Sequence, residues 1–304
     1  MELDYQIKDG EVTVTRCYGK EPRVAVPNRI EGYPVTRLEA YIFSDGRKER
    51  DRAHAICGEQ LLEVCIPPSV KEIGNYAFYG CRKLEKLTLY HETSDIAGGA
   101  FNGCHRLSHL DVHMEHAWGY CLKDLVSELH HELSVTLHYE DGPERTARLL
   151  FPEYYEEAVE NTPARILETH FHGSGYAYRQ IFRDGTIVYP EYDRLFFEAQ
   201  NLECEDFCIE LCLLRLMYPR ELTEEAWGCY RSWLMEHRMS AASWCIEFEQ
   251  EERLEYLAGF AEWTEEELGI LISASNQKGR ISMQSFLMDY KHQYGRNRKK
   301  TFEW

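Results

Sequence analysis

Cys204, Cys208 and Cys212 recur at every fourth position, so on a helix their three thiols share one face. A zinc ion would accept such thiols, but zinc sites draw ligands from two segments, commonly a Cys-x2-Cys knuckle and a second pair. Leu211, Leu213 and Leu214 surround the row, which favours packed core thiols. Histidine is dense at His105, His109, His113 and His116, and His130-His131 follow. If Leu110 and Val112 point inward, alternation turns His109, Asp111 and His113 to the opposite face, where a carboxylate and two imidazoles could meet a metal. The same alternation also accounts for them as solvent-side residues, and no metal or cofactor is assigned. The most enzyme-like string is His170-Phe171-His172-Gly173-Ser174-Gly175-Tyr176. His170 and His172 share one strand face ahead of a Gly-Ser-Gly turn whose backbone could cradle an anion beside Ser174. It lacks the Gly-x-Ser-x-Gly spacing of a nucleophile elbow, a Walker lysine and the Rossmann glycine count, so a structural turn is favoured.

The elements that must position these groups are set by a repeat. Residues 61–83 form one unit, and its Val64, Ile66, Ile73, Ala77-Phe78 and Gly80-Cys81 return 23 positions later as Leu87, Leu89, Ile96, Ala100-Phe101 and Gly103-Cys104. A third unit opens at Leu107 with Leu110 and Val112, and a degenerate earlier copy holds Val24, Val26, Leu38 and Phe43. A unit this short cannot bury its own apolar face, so neighbours must stack into a solenoid. Two period-2 segments per unit indicate short strands, and each Gly-Cys marks a tight turn with a small side chain inside the coil. Phe43 and Phe78 lie 35 apart, 12 more than the period, and the excess maps to Gly46–Gln60, a charged stretch read as a solvated loop or a lid.

Ile66-Pro67-Pro68-Ser69-Val70, Ile73-Gly74, Ala77-Phe78 and Gly80-Cys81 fall in the register of the BspA-like leucine-rich repeat family, which residues 22–114 resemble. Tyr90-His91-Glu92-Thr93-Ser94 departs from that family's Pro-x-Ser-Val. The resemblance implies a protein-binding role.

After Trp118 the pattern changes. Cys121–Glu132 has helical spacing, Leu133–Tyr139 alternates as a strand, Asp141-Gly142 is a turn, and Arg145–Phe151 reads as the returning strand of a hairpin capping the solenoid. From Pro152 the reading is mainly helical: 152–160, 190–200, 205–218, 223–238, 241–250, 251–261, 265–275 and 282–294. Arg183-Asp184-Gly185-Thr186 is a hairpin turn between 178–182 and 187–189. Thr264-x-x-Glu267 is a capping box. The paired helices of 251–291 look like a degenerate ankyrin-type repeat, with a generic bundle equally open. The expected fold class is therefore α+β: a leucine-rich repeat solenoid over 1–118, a capping helix and β-hairpin over 119–151, and an acidic α-helical domain over 152–304.

The net charge is −18, from 34 basic and 52 acidic residues. Residues 1–140 carry 16 basic and 22 acidic residues; 141–304 carry 18 and 30, and the run Arg296-Asn297-Arg298-Lys299-Lys300 reverses sign as a solubilising tail, or as a segment docking on acidic helices or RNA. This balance makes a general nucleic-acid surface a poor fit, since phosphates must be met by cations. No apolar run is long enough to span a membrane. The start lacks a signal-peptide pattern, and eleven cysteines in a large chain are expected as reduced thiols, which together point to the cytoplasm. Outward positions stack 23 apart as Glu63/Lys86/His109, Cys65/Thr88/Asp111 and Pro67/Tyr90/His113. A mixed polar face with an aromatic suits a protein or peptide partner, and no converging titratable set marks an enzyme. The alternative is a ligand-binding or hydrolytic domain in 152–304 centred on His170, His172 and Ser174, with the repeats as a targeting appendage.

Overall fold

A computed structural model describes residues 1–46, 54–114, 120–140, 142, 144–161 and 166–300. It is an α+β chain in two compact units, residues 1–203 with 218–221, and residues 204–217 with 222–304. The expected divisions after 118 and after 151 both fall inside the first unit.

The first unit opens with an antiparallel pair, β1 (Glu2–Lys8) and β2 (Glu11–Tyr18), turned at Asp9-Gly10, both in the left-handed region. That two-residue turn is the hairpin chemistry of an Asp-Gly pair. Next come β3 (Arg23–Ala25), β4 (Arg29–Ile30) and β5 (Tyr33–Leu38). The repeats supply β6 (Glu63–Cys65), β7 (Glu72–Ile73), β8 (Lys86–Tyr90), β9 (Asp95–Ile96) and β10 (His109–Met114). The two strand segments of each repeat join two different sheets. One carries the parallel row β5–β7–β9, with Leu38, Ile73 and Ile96 in register; the other runs β3–β6–β8–β10, with Val24, Val64, Leu87 and Leu110 in register. From Val64 and Ile73 onward these register partners lie 23 residues apart, whereas Leu38 precedes Ile73 by 35 and Val24 precedes Val64 by 40.

Between the sheets, Phe43, Phe78 and Phe101 stack at 5.1 and 4.9 Å between ring centroids. At the turn edge Gly80 and Gly103 have positive φ, and the buried Cys81 and Cys104 thiols donate to the carbonyls of Phe43 and Phe78, one coil back. Burial pushes the Cys104 thiol up to about 12, so it stays protonated and donates. Within Gly46–Gln60, residues 47–53 lie outside those described. The rest is not a solvated loop: Ala55, Ile56 and Gly58 are buried, and the Ile56 N–H donates to the Cys17 carbonyl.

The expected helix and hairpin follow as α1 (Tyr120–Glu128), β11 (Leu133–Tyr139) and β12 (Thr146–Phe151), with Asp141 of the turn outside the described residues. β11 pairs antiparallel with β12 and also parallel with β10, so the solenoid sheet continues as β12–β11–β10–β8–β6–β3. The helix expected at 152–160 is instead β13 (Tyr155–Asn161), paired antiparallel with β14 (Ile166–His172). Backbone bonding to that partner strand outweighs the helical propensity of its glutamates. Residues 175–203 form α2 (Gly175–Tyr178), the small hairpin β15 (Phe182–Arg183) and β16 (Thr186–Ile187), then α3 (Tyr189–Arg194) and α4 (Phe196–Leu202). The Asp184-Gly185 turn is where the sequence puts it, both residues having positive φ. The single helix expected over 190–200 is interrupted at Leu195, and residue 178 ends a helical turn instead of opening a strand.

The second unit is helical: α5 (Glu205–Met217), α6 (Glu224–Glu236), α7 (Arg238–Glu247), α8 (Glu251–Ala258), α9 (Glu265–Gln277) and α10 (Ile281–Lys300). Thr264 and Glu267 form the full capping box at the start of α9. Helix α10 extends through Arg296–Lys300, so the basic run expected as a tail is helical backbone. Among the described residues no helix is long and apolar enough to cross a membrane.

Candidate functional site

The outward face of β6, β8, β10 and β11 gathers the polar side chains of the repeat. Alternation buries Val64, Leu87, Leu89, Leu110, Val112, Val135 and Leu137, and turns the residues between them outward. Register pairing sets Glu63, Lys86, His109 and Ser134 in one row and Cys65, Thr88, Asp111 and Thr136 in a second. Tyr90, His113 and His138 form a third. Seven of the eight expected binding residues are half-buried, and His109 is exposed. Pro67, assigned to the third row from sequence, is buried and not part of this face; β6 ends at Cys65, two residues before it.

Within the face, the polar side chains make contact between rows and the rings stack along the third row. Lys86 Nζ lies 3.2 Å from Asp111 Oδ2, and Asp111 Oδ1 is 2.5 Å from His138 Nε2. The rings of Tyr90 and His113 stack at 4.5 Å, and those of His113 and His138 at 4.7 Å. Beside this stack a recess of about 300 Å³ is lined by Tyr90, His91, Glu92, His113, His138 and Glu140. Burial and the neighbouring His138 lower the His113 pKa, against a smaller opposing effect of Asp111, so the ring is neutral at pH 7. Burial raises Cys65, with Asp111 adding to the rise and Lys86 opposing it. A protonated thiol in this row is not a nucleophile.

Sequence reasoning missed Ser134, Thr136 and His138, because β11 follows β10 at an interval of 25 residues, not 23. Its alternating pattern was the available signal. The row of three cysteines divides: Cys204, just ahead of α5, is exposed, while Cys208 and Cys212 within the helix are buried, and burial holds the Cys212 thiol well above its usual range.

The second candidate string does not converge. His172 Nε2 lies 3.0 Å from Glu157 Oε2 across the β13–β14 pair, and His170 Nε2 is 3.7 Å from Glu168. Ser174 turns inward instead: its N–H and its hydroxyl both donate to Glu203 Oε1, at 2.8 and 2.6 Å. A carboxylate thus already holds the donors that an anion would need. The flanking glycines have steric reasons. Gly173 has φ of +84°, and a Cβ on Gly175 would stand 2.2 Å from the Pro152 carbonyl oxygen. Gly175→Ala is therefore expected to destabilise the first unit by about 1–3 kcal/mol, the cost of overpacking. Urea-dependent hydrogen exchange in β12 peptides reads the loss, and unchanged protection would refute the steric reading.

Residues 51–121 match the model of the BspA type leucine rich repeat region, with six copies. This stretch is a BspA type leucine rich repeat region. Repeat regions of this type are generally protein-interaction modules. The chain is also similar to the T. pallidum leucine rich repeat protein, at 25% identity over 37% of this chain and 51% of that one, with a TM-score of 0.31. A leucine rich cell surface protein from Faecalibacterium prausnitzii A2-165 is 19% identical over 46% of this chain and 41% of that one, with a TM-score of 0.28. The chain thus spans about half or less of these two solved chains. Among curated proteins none matches it. The helices after residue 203 lie outside the leucine rich repeat match, so the ankyrin-type likeness of 251–291 stays a resemblance of sequence.

Proposed function

We propose that the chain is a non-enzymatic interaction module whose outward repeat face, from Glu63 to His138, binds a protein or peptide partner. The observation that carries this reading is the continuous face itself. Four parallel strands present aligned rows in which Glu63, Lys86, His109 and Asp111 offer charge and hydrogen bonds and the Tyr90–His113–His138 stack offers a flat aromatic edge. Rigid strands hold these groups at fixed spacing, which lowers the entropy lost on binding. The Lys86–Asp111 pair lies in the middle of the face, where a partner's charged group would exchange with it.

The test is affinity capture from native cells with wild-type protein and with a variant carrying Lys86→Ala, Thr88→Ala, His109→Ala and Asp111→Ala together. These side chains point away from the core, so the variant is expected to keep its circular dichroism. Partners retained by wild type and lost by the variant are the expected result, with each loss confirmed by direct titration of the purified pair. Recovery of the same partners by both proteins places the binding surface elsewhere.

A further inference from the structure

We infer that Asp111, His113 and His138 form a binding site for one divalent transition-metal ion of the zinc type. This goes beyond the partner-binding reading and is tested without any partner.

Three observations carry it. The donors converge: one ligand atom from each of the three residues lies within 4.8 Å of the other two. The backbone fixes that convergence, because His113 and His138 are direct register partners on the parallel strands β10 and β11, and Asp111 sits two residues before His113 on the same face. The donor set is also chemically selective. Two imidazoles and one carboxylate suit zinc, cobalt, nickel or copper, whereas calcium and magnesium prefer oxygen alone.

A tetrahedral ion with bonds near 2.0–2.1 Å holds its ligand atoms about 3.4 Å apart. The two imidazoles stand stacked with their planes 22° apart, so both rings must turn out of the stack to aim their nitrogens at one ion. Asp111 Oδ1 and His138 Nε2, 2.5 Å apart, are joined by a proton that the ion would displace. Lys86 holds the other carboxylate oxygen, Oδ2, which orients Oδ1 toward the imidazole. Tyr90 stacks on the far face of His113 and fixes its ring. The recess beside His113 and His138 leaves the fourth position open to water or to a ligand atom from another molecule. The same opening marks catalytic zinc sites, in contrast to closed structural ones. His109, on the neighbouring row, is exposed and is not among the three converging groups.

The experiment uses full-length protein stripped with a chelator and kept reduced. Equilibrium dialysis against Zn²⁺ is expected to give one equivalent bound, and Co²⁺ is expected to give visible bands of nitrogen–oxygen coordination without thiolate charge transfer. His138→Ala and Asp111→Asn should each weaken uptake by at least about tenfold, with His109→Ala unchanged. In wild type alone, Zn²⁺ should shift the ring resonances of two histidines and leave the others in place, a readout that does not depend on any variant folding. Lack of saturable uptake overturns the inference. Uptake indifferent to both substitutions does so too, as do cobalt spectra dominated by thiolate.

Discussion

Replacing Arg179 with methionine is expected to destabilise the first unit by about 3–5 kcal/mol, because several buried carbonyls lose their donor at once. Arg179 is almost wholly buried, and among the described residues no carboxylate pairs with it. Its guanidinium instead donates to five backbone carbonyls: Val126 and Leu129 at 2.9 Å, Pro152 at 2.6 Å, Gly175 at 2.9 Å and His131 at 2.8 Å. The Tyr154 ring lies 4.9 Å below it. These carbonyls belong to the end of α1 with its link to β11, to the residue after β12, and to the start of α2, so one side chain joins three stretches separated in sequence. Burial lowers its pKa to about 10, which still leaves it fully charged at neutral pH. Methionine fills part of the volume but leaves the carbonyls buried without donors, each a desolvation cost of about 1–3 kcal/mol before relaxation. Arg179→Lys restores the charge but only three donors, and should recover part of the loss. Five of the six tryptophans lie after residue 203, so their fluorescence reports the other unit. Hydrogen exchange in peptides from α1, β11 and β12 is the appropriate measurement. Protection equal to wild type in those peptides would refute the role.

Arg179 also shows where the sequence stops being legible. Periodicity exposes what repeats: the 23-residue interval equates Ile73 with Ile96, Val64 with Leu87 and Leu110, and Phe78 with Phe101. A single arginine with irregular backbone partners has no period to betray it. His138 was hidden for a related reason. Helix α1 replaces the turn of the last repeat and moves the interval to 25, so the strand reads as a separate hairpin although it completes the outward face. β13 was misread because its pairing with β14, not its composition, decides its conformation. The candidate site was thus legible on three strands, and its convergence on Asp111 became visible only with the fourth. The opening pair of strands passed unread although Asp9-Gly10 was a local signal.

Phe78→Ala carries the largest expected effect within the repeats, and it tests whether the solenoid is stabilised by nearest neighbours. Phe78 is fully buried, with Phe43 stacked on one side at 19° and Phe101 on the other at 9°. Truncation removes the transfer energy of the ring and leaves a cavity that the flanking coils cannot close. Their spacing is held by backbone bonds from Phe43 N–H to Ala77 O and from Phe78 N–H to Ala100 O. The cost for a buried phenylalanine is about 3–5 kcal/mol, to which two lost ring stacks add about 0.5–1.5 kcal/mol each. Phe43 and Phe101 each stack on only one phenylalanine of the row, Phe78. In a quasi-one-dimensional array, a central substitution weakens two interfaces and a terminal one weakens one. Phe78→Ala should therefore cost more than either Phe43→Ala or Phe101→Ala, and exchange should rise in β6 and β8 together. Equal costs at all three positions would show that each ring is held by its own coil and not by the row, and the stacked phenylalanines would then be a consequence of the fold instead of a cause.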